Sequence, residues 1–358
     1  MAFKKINYFI SLLLLITSCH LSAFETLGLE NVTPIQAGYN LEKLNELELF
    51  LKESGSNSML LLHDGKVFFE WGDINRKHVI NSIRKAMLNS LIGIYHSKGK
   101  LSLDSTLKQL KIDQLEPKLN SIELKATLRM LLESRSGIYL GATAESDWMK
   151  DRKPQRGAFN PGDHYYYNNW DFNVVGAIFE KQTSENIFQA FYHNIAKPIG
   201  MKHFKGDAGR VDLPSDLPIP NTDGFHQYQL SESPFPAYHF RMSTYDMALY
   251  GQLYLNNGLW NGQQIIPKEW IKQSTKPISI TNKKYGLAYG MMWSVLIPEK
   301  NQQRTSFYHT GNGVHMLGVY PEHKLVMVHR VDTENPYKFK YDDLYTVIRL
   351  MHSARIIK

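Results

Sequence analysis

The sequence predicts an α+β fold, and three observations carry that reading. First, two short alternating runs, Ser58 to His63 and Lys66 to Trp71, are joined by Asp64-Gly65, a strong two-residue hairpin signal. Second, an apolar periodicity of three and four residues opens at Ser82 and runs to about Tyr95 through Met87, Leu88, Leu91 and Ile92, the signature of a buried helix face. Third, strand-like runs return between about Tyr289 and Val331, and a helix-like run from Tyr341 to Arg355 follows them. The order is strands, helices, strands, then a final helix.

A short polar connection separates the hairpin from the first helix, so Ser82 stands at a helix N-terminus. Backbone N–H groups are unpaired there and the dipole favours negative charge. Lys85 lies three residues on, on the same helix face one turn away. Its amine can therefore take the serine hydroxyl proton directly, with no histidine base. The backbone N–H of Ser82 can bind an oxyanion. Ser97-Lys100 and Ser105-Lys108 have the same spacing, but Ser97 ends the helix beside Gly99 and Ser105 follows Asp104 as a cap or turn. By itself Ser82 also reads as an ordinary N-cap, so the decision rests on what lies downstream.

Two further motifs do. In Tyr166-Tyr167-Asn168-Asn169 two Tyr-x-Asn frames overlap. The spacing to Pro161-Gly162 and to the apolar run Phe172, Val174, Val175 selects Tyr167 with Asn169. A phenol beside a cationic amine suits a phenolate or a proton relay. A third frame, Tyr254-Leu255-Asn256, runs into Asn257-Gly258 and reads as a helix end. His309-Thr310-Gly311-Asn312-Gly313 lies between Thr305 to Tyr308 and the strand-like run Val314 to Tyr320. Its glycines permit a close approach of backbone to a ligand.

Together these residues resemble the serine β-lactamase and penicillin-binding-protein superfamily, especially its class C-like branch of esterases, D-amino-acid peptidases and β-lactamase-related hydrolases. That signature is a Ser-x-x-Lys at the start of a buried helix, a Tyr-x-Asn on a loop and a Lys/His-x-Gly on an edge strand. Thr127 to Leu132 with Ser136-Gly137-Ile138, Pro161-Gly162 through Gly176, and Met242 to Asp246 extend the likeness over roughly residues 45 to 350. The resemblance implies a β-lactamase-like architecture: an antiparallel sheet flanked by terminal helices, a mainly helical lobe at about 100–240, and the active site between them. It implies Ser82 as nucleophile, Lys85 and Tyr167 as the proton-transfer pair, and Asn169 bonded to Lys85 or the substrate. His309 and Gly311 would border the substrate, and the N–H groups of Ser82 and Asn312 would bind the oxyanion. The expected activity is hydrolysis of an ester or amide through an acyl-enzyme, of the esterase or D-amino-acid peptidase type. The alternatives are a β-lactamase or DD-carboxypeptidase and, in another class, a catalytically silent binding protein of the same fold. Many β-lactamases have lysine where this chain has His309. A mostly neutral imidazole is a weaker anchor for a substrate carboxylate, which favours the esterase and peptidase relatives.

Composition sets the remaining bounds. With 358 residues and 43% hydrophobic content the chain can bury a large core in one or two domains. The formal charge of +7 includes Lys4 and Lys5, and the basic residues form no run or stripe, so nucleic acid is not an expected partner. No cofactor is expected, no metal motif such as His-Glu-x-x-His occurs among the 14 histidines, and the Gly-x-Ser-x-Gly of α/β-hydrolases is absent. Residues 1–23 read as a leader: Lys4 and Lys5, then Tyr8 to Ile16, too short an apolar stretch to span a membrane stably. Ile16-Thr17-Ser18-Cys19 resembles a lipoprotein box, with cleavage after Leu21-Ser22-Ala23 as the alternative. Cys19 is the only cysteine, so lipidation is its one obvious use. Either route places the hydrolase domain, 24–358, beyond the cytoplasmic membrane, periplasmic or lipid-anchored, acting on a small ester, amide or peptide. Trp148, Tyr165, Tyr166 and Trp170 suggest an aromatic-walled pocket for an apolar acyl group. The proline-punctuated loop Leu213 to Pro218 and a second loop with Pro234 and Pro236 are expected to rim the cleft.

Overall fold

The computed structural model describes residues 28–114, 116–215, 218–298 and 304–356; the expected leader, with Cys19, lies outside them. The described helices are α1 (Leu41–Ser54), α2 (Arg84–Ser97), α3 (Leu128–Leu132), α4 (Asp147–Arg152), α5 (Asn169–Thr183), α6 (Ile187–Phe191), α7 (Thr244–Leu255), α8 (Lys268–Ser274) and α9 (Tyr341–Ser353). The strands are β1 (Ser58–His63), β2 (Lys66–Gly72), β3 (His78–Val79), β4 (Ala208–Asp212), β5 (Gly224–Gln229), β6 (Ser233–Met242), β7 (Leu259–Trp260) and β8 (Gln263–Gln264), then β9 (Ser279–Asn282), β10 (Leu287–Tyr289), β11 (Ser294–Leu296), β12 (Phe307–Gly311), β13 (His315–Tyr320) and β14 (Leu325–Arg330). Among the described residues no helix is long and apolar enough to cross a membrane.

An antiparallel sheet of eight strands, ordered β2-β1-β14-β13-β12-β11-β10-β9, forms the frame. Its first hairpin turns at Asp64 and Gly65, both at positive φ (50° and 81°), as a tight two-residue turn between right-twisted strands requires. The central strands are buried on both faces and not on one. Leu60, Leu62, Leu317, Val319, Val326 and Val328 face an inner core, whereas Met59, Leu61, Met316, Leu325 and Met327 face an outer one. The outer core is closed by α1 and α9, which contribute Leu44, Leu47, Leu51, Leu344, Val347 and Met351. On the inner side α7 lies directly on the sheet. A Cβ at Gly251 would come within 2.5 Å of Val326 Cγ1, so the close contact depends on that glycine.

The region 100–240 holds α3 to α6, and from Ala208 it adds strands: β6, β5 and β4 join β3 in a second sheet in which β4 and β5 are parallel. Two expectations need correction. Pro234 and Pro236 read as loop residues in the sequence. They sit instead in β6 where its register against β5 is irregular, between the pairs Gln229↔Ser233 and Gln227↔Ala237, a place where missing N–H donors are tolerated. Nor is His309-Thr310-Gly311 on an edge strand of the sheet, since β12 is the fifth of eight. However, β11 pairs only with Phe307 and Tyr308, so His309 to Gly311 have a ladder partner on the β13 side alone.

Candidate active site

Ser82 sits in a single 3-10 turn, Asn81–Ile83, that runs straight into α2. No side chain caps either element, which removes the ordinary N-cap reading of this serine. Asn81 is left-handed (φ 50°), a strained conformation for a residue with a side chain. Its amide is tied down 3.0 Å from both His315 Nε2 and Thr333 Oγ1. From the sheet side, β12 approaches this turn so closely that a Cβ at Gly311 would lie 2.4 Å from the Ile80 carbonyl oxygen. Glycine there is what lets the His309 segment meet the Ser82 turn.

Lys85 Nζ lies 3.0 Å from Ser82 Oγ. The lysine is fully buried at 0% exposure, its amine 4.8 Å from the ring centre of Tyr167 and 4.9 Å from that of Phe172. Burial first, and the charge of Arg84 second, hold its pKa well below the usual lysine range. Sequence reading treated Arg84 as a spacer within the motif, yet its guanidinium is buried, 4.4 Å from the ring centre of Tyr238 and 3.1 Å from Asn173 Oδ1. Among the described residues no carboxylate pairs with it, and its Nη1 has no hydrogen-bond partner. The available signal was a second charge beside Lys85 at the start of a helix that is buried on every side.

The tyrosine loop is pinned from below. Ser134 donates its hydroxyl to the Tyr166 carbonyl (2.7 Å) and accepts the Asn168 N–H (3.0 Å). Asn168 caps α5 by accepting from Trp170 N, and it donates to the Ile138 carbonyl (2.7 Å) and to Asp171 (2.9 Å). Tyr166 donates its hydroxyl to the Met149 carbonyl at 2.6 Å. The Tyr166–Asn168 frame is therefore occupied in holding the loop, while Tyr167 faces Lys85. Burial pushes the Tyr167 phenol up to about 12, opposed by a hydrogen bond with Ser82 and by the Arg84 charge. Asn169 does not bond Lys85. Its Nδ2 donates to the Ala144 carbonyl, and its buried Oδ1 is left without a partner.

On β12, His309 is buried and its Nδ1 lies 2.8 Å from the Thr310 carbonyl oxygen. A carbonyl only accepts, so Nδ1 carries the proton and Nε2 presents a lone pair, which has no partner. Burial, then the charges of Lys85 and Arg84, lower its pKa to about 3. Asn312 follows at φ 50°, exposed, donating its side-chain amide to Tyr337 Oη at 2.9 Å. The expected aromatic wall does not form as one surface. Trp170 is in the core, donating to Gln114 Oε1 at 2.8 Å, Trp148 is 54% exposed on α4, and only Tyr165 approaches the site residues, packing on Tyr289 with ring centres 5.1 Å apart. Trp148 lies on α4, Tyr165 and Tyr166 in the loop before α5 and Trp170 on α5, so the packing of separate elements sets each ring's direction.

A second polar cluster, His78, Asp332 and Glu334, has metal-ligand atoms within 4.8 Å of one another. Its carboxylates are already engaged, Glu334 by a two-pronged contact with Arg241 and Asp332 by Arg76 and Asn335, which is an ion-pair network and not a cation cage.

Comparison with known proteins agrees with this architecture. An Escherichia coli K12 protein named "Putative D-alanyl-D-alanine carboxypeptidase" is 21% identical over 348 residues, covering 79% of each chain. The octameric penicillin-binding protein homologue from Pyrococcus abyssi superposes with a TM-score of 0.60 at 18% identity, over 87% of this chain and 77% of that one. EstCE1, described as a hydrolase with promiscuous acyltransferase activity, gives 0.60 at 13% identity, over 88% and 99%. The family model described as Beta-lactamase matches residues 55–348, and the chain belongs to that family of hydrolases.

Proposed function

We propose that the chain is an exported serine hydrolase that cleaves an ester or amide bond through an acyl-enzyme on Ser82, of the esterase or D-amino-acid peptidase type. The observation that carries this reading is Ser82 Oγ lying 3.0 Å from a fully buried lysine amine whose pKa is held down. Between Lys85 and Tyr167, the pKa directions favour Lys85 as the base. A phenol at about 12 stays protonated at pH 7, whereas an amine shifted well below its normal range supplies a free lone pair. In acylation the Ser82 proton passes to Lys85 Nζ as the Oγ–C bond forms. When the tetrahedral intermediate collapses, Tyr167 gives its proton to the leaving alcohol or amine and regains one from Lys85. Water then repeats the sequence on the acyl-enzyme, with the N–H groups of Ser82 and Asn312 binding the oxyanion in both steps.

The neutral His309 bears on the substrate class. Its free Nε2 is an acceptor, which matches a substrate N–H or O–H and repels a carboxylate. The carboxypeptidase name of the bacterial relative favours the second reading, a DD-carboxypeptidase or β-lactamase. A fluorophosphonate probe tests the core of the proposal. Covalent labelling of Ser82, absent in Ser82→Ala, is the expected result, and a silent binding protein shows none. A panel of p-nitrophenyl esters, D-alanyl peptides and nitrocefin then separates the readings.

A further inference from the structure

A cavity of about 250 Å³ lies beside the Ser82 turn, between it and the second sheet. Val79 lines it on one side, Leu213 and Phe225 on another, and Asn81, Ser215, Gln227 and His239 are its polar residues. Leu213 belongs to the proline-punctuated loop that the sequence placed at the cleft rim. Among the described residues lining the cavity none carries a charged side chain, which makes it an apolar space with a few convergent polar groups, the character of a ligand subsite.

His239 is the unusual member. It is 8% exposed, and neither ring nitrogen has a hydrogen-bond partner, although buried polar atoms are otherwise nearly always paired. Its ring stacks on Phe225, its register partner on β5, with centres 4.8 Å apart and planes 19° from parallel. That stacking occupies the face of the imidazole and leaves its two nitrogens at the edge. Burial, then the charges of Arg84, Lys85 and His226, keep the ring neutral, so it presents one donor and one acceptor.

We propose that this cavity is a specificity subsite that takes one uncharged, mainly apolar substituent of the substrate, and that His239 recognises a hydrogen-bonding group on it. The inference rests on the Ser82 reading, because Asn81 is shared between the cavity wall and the turn that carries Ser82. A site built to hydrogen-bond a substrate group discriminates strongly against the analogue lacking it, since its own buried polar atoms are then left unpaired. The cavity is too small for a whole drug-sized ligand, which suits one side chain of a larger substrate.

The experiment compares kcat/KM for three esters: p-nitrophenyl acetate, p-nitrophenyl hexanoate, and p-nitrophenyl 4-acetamidobutyrate, which places an amide in a chain of similar length. Wild type should prefer the amide-bearing ester to hexanoate by ~10-fold or more, the scale of discrimination by a buried hydrogen bond. His239→Leu should abolish that preference while acetate hydrolysis stays within about two-fold, and His239→Gln should restore part of it. Placing the same chains on the alcohol of an acetate ester tells whether the acyl or the leaving group enters the cavity. Equal preferences in wild type and His239→Leu, on both sides of the ester, overturn the subsite. If wild type hydrolyses no ester and the fluorophosphonate probe does not label Ser82, the Ser82 reading has failed. The cavity is then read by titrating N-butylacetamide into Ser82→Ala: movement of the His239 imidazole resonances supports it, and their constancy overturns it.

Discussion

Two buried histidines on opposite faces of the eight-stranded sheet show how a site differs from a core. His329 faces α1 and α9, is 0% exposed, and packs on Phe339 with ring centres 4.7 Å apart and planes tilted by 35°. Its Nδ1 is 2.9 Å from the Val314 carbonyl oxygen and its Nε2 3.0 Å from Ser56 Oγ. His309 faces α2, is 3% exposed, and has only its Nδ1 engaged. Burial lowers both, His329 to about 4 and His309 to about 3, so depth and pKa do not tell them apart. Unmet hydrogen bonding does. Around Lys85 the atoms left without partners include Arg84 Nη1, Asn169 Oδ1, Tyr238 Oη and Tyr289 Oη as well as His309 Nε2. A folded core rarely leaves such groups together, and a cleft that must meet substrate and water does.

The comparison breaks at its strongest point if Ser82 is dispensable. Ser82→Ala should reduce turnover by ~10³-fold or more with the fold intact. Ser97→Ala should leave it unchanged, since that hydroxyl donates to the Ile94 carbonyl at 2.8 Å. Lys85→Ala and Tyr167→Phe should each lower kcat by ~100-fold or more, and the double variant by less than the product, because the two pass one proton. Tyr166→Phe should remain active; activity lost there and kept in Tyr167→Phe would reverse the frame. The cost of burying Lys85 is testable separately. Its folded pKa is well below the unfolded ~10.4, so between the two values the unfolded chain binds the extra proton. Stability should therefore rise with pH through that window. Lys85→Met should raise Tm at pH 7 and flatten the rise, as measured by thermal melts between pH 6 and 10.

How much of this was legible beforehand follows the range of the interactions. The hairpin, α2 and α9 were local or periodic, and a single sequence carries those signals, whereas α1 was expected only through the family resemblance. The neutral state of His309 was expected from its chemistry, but its proton on Nδ1 depends on the Thr310 carbonyl and only the folded backbone supplies that. Arg84 and His239 were missed because each acquires meaning from a partner distant in sequence, Tyr238 for one and the Ser82 turn for the other. The second sheet was hidden by Pro234 and Pro236, whose usual message is a loop. The aromatic wall failed because its four rings sit on different elements, α4, the tyrosine loop and α5, whose packing a single sequence does not give.

His309 sharpens the comparison on substrate choice. Because its free nitrogen accepts and its charge is absent at any pH well above about 3, wild type should hydrolyse p-nitrophenyl butyrate more efficiently than nitrocefin. His309→Lys places a donor and a cation at that position and should shift the ratio of the two kcat/KM values toward nitrocefin by ~10-fold, about 1.4 kcal/mol of differential stabilisation. Efficient nitrocefin turnover by wild type, with butyrate poorly cleaved, would restore the β-lactamase.

The smallest effect on activity is expected at His329, and it serves as the control for the whole comparison. His329→Gln cannot keep both the Val314 and Ser56 bonds in their present geometry, and losing a buried bond leaves a polar group unpaired at a cost of about 1–3 kcal/mol. Tm should fall by a few degrees while kcat/KM on p-nitrophenyl butyrate stays within about two-fold. His309→Gln should do the reverse. Its Nε2 has no bond to lose and its one bond, from Nδ1 to the Thr310 carbonyl, is one a Gln side-chain amide can also donate, so Tm should fall by less than in His329→Gln, whereas the group facing the substrate changes and kcat/KM should fall. If melting temperature and activity move together in both variants, unmet hydrogen bonding does not distinguish the site from the core in this protein.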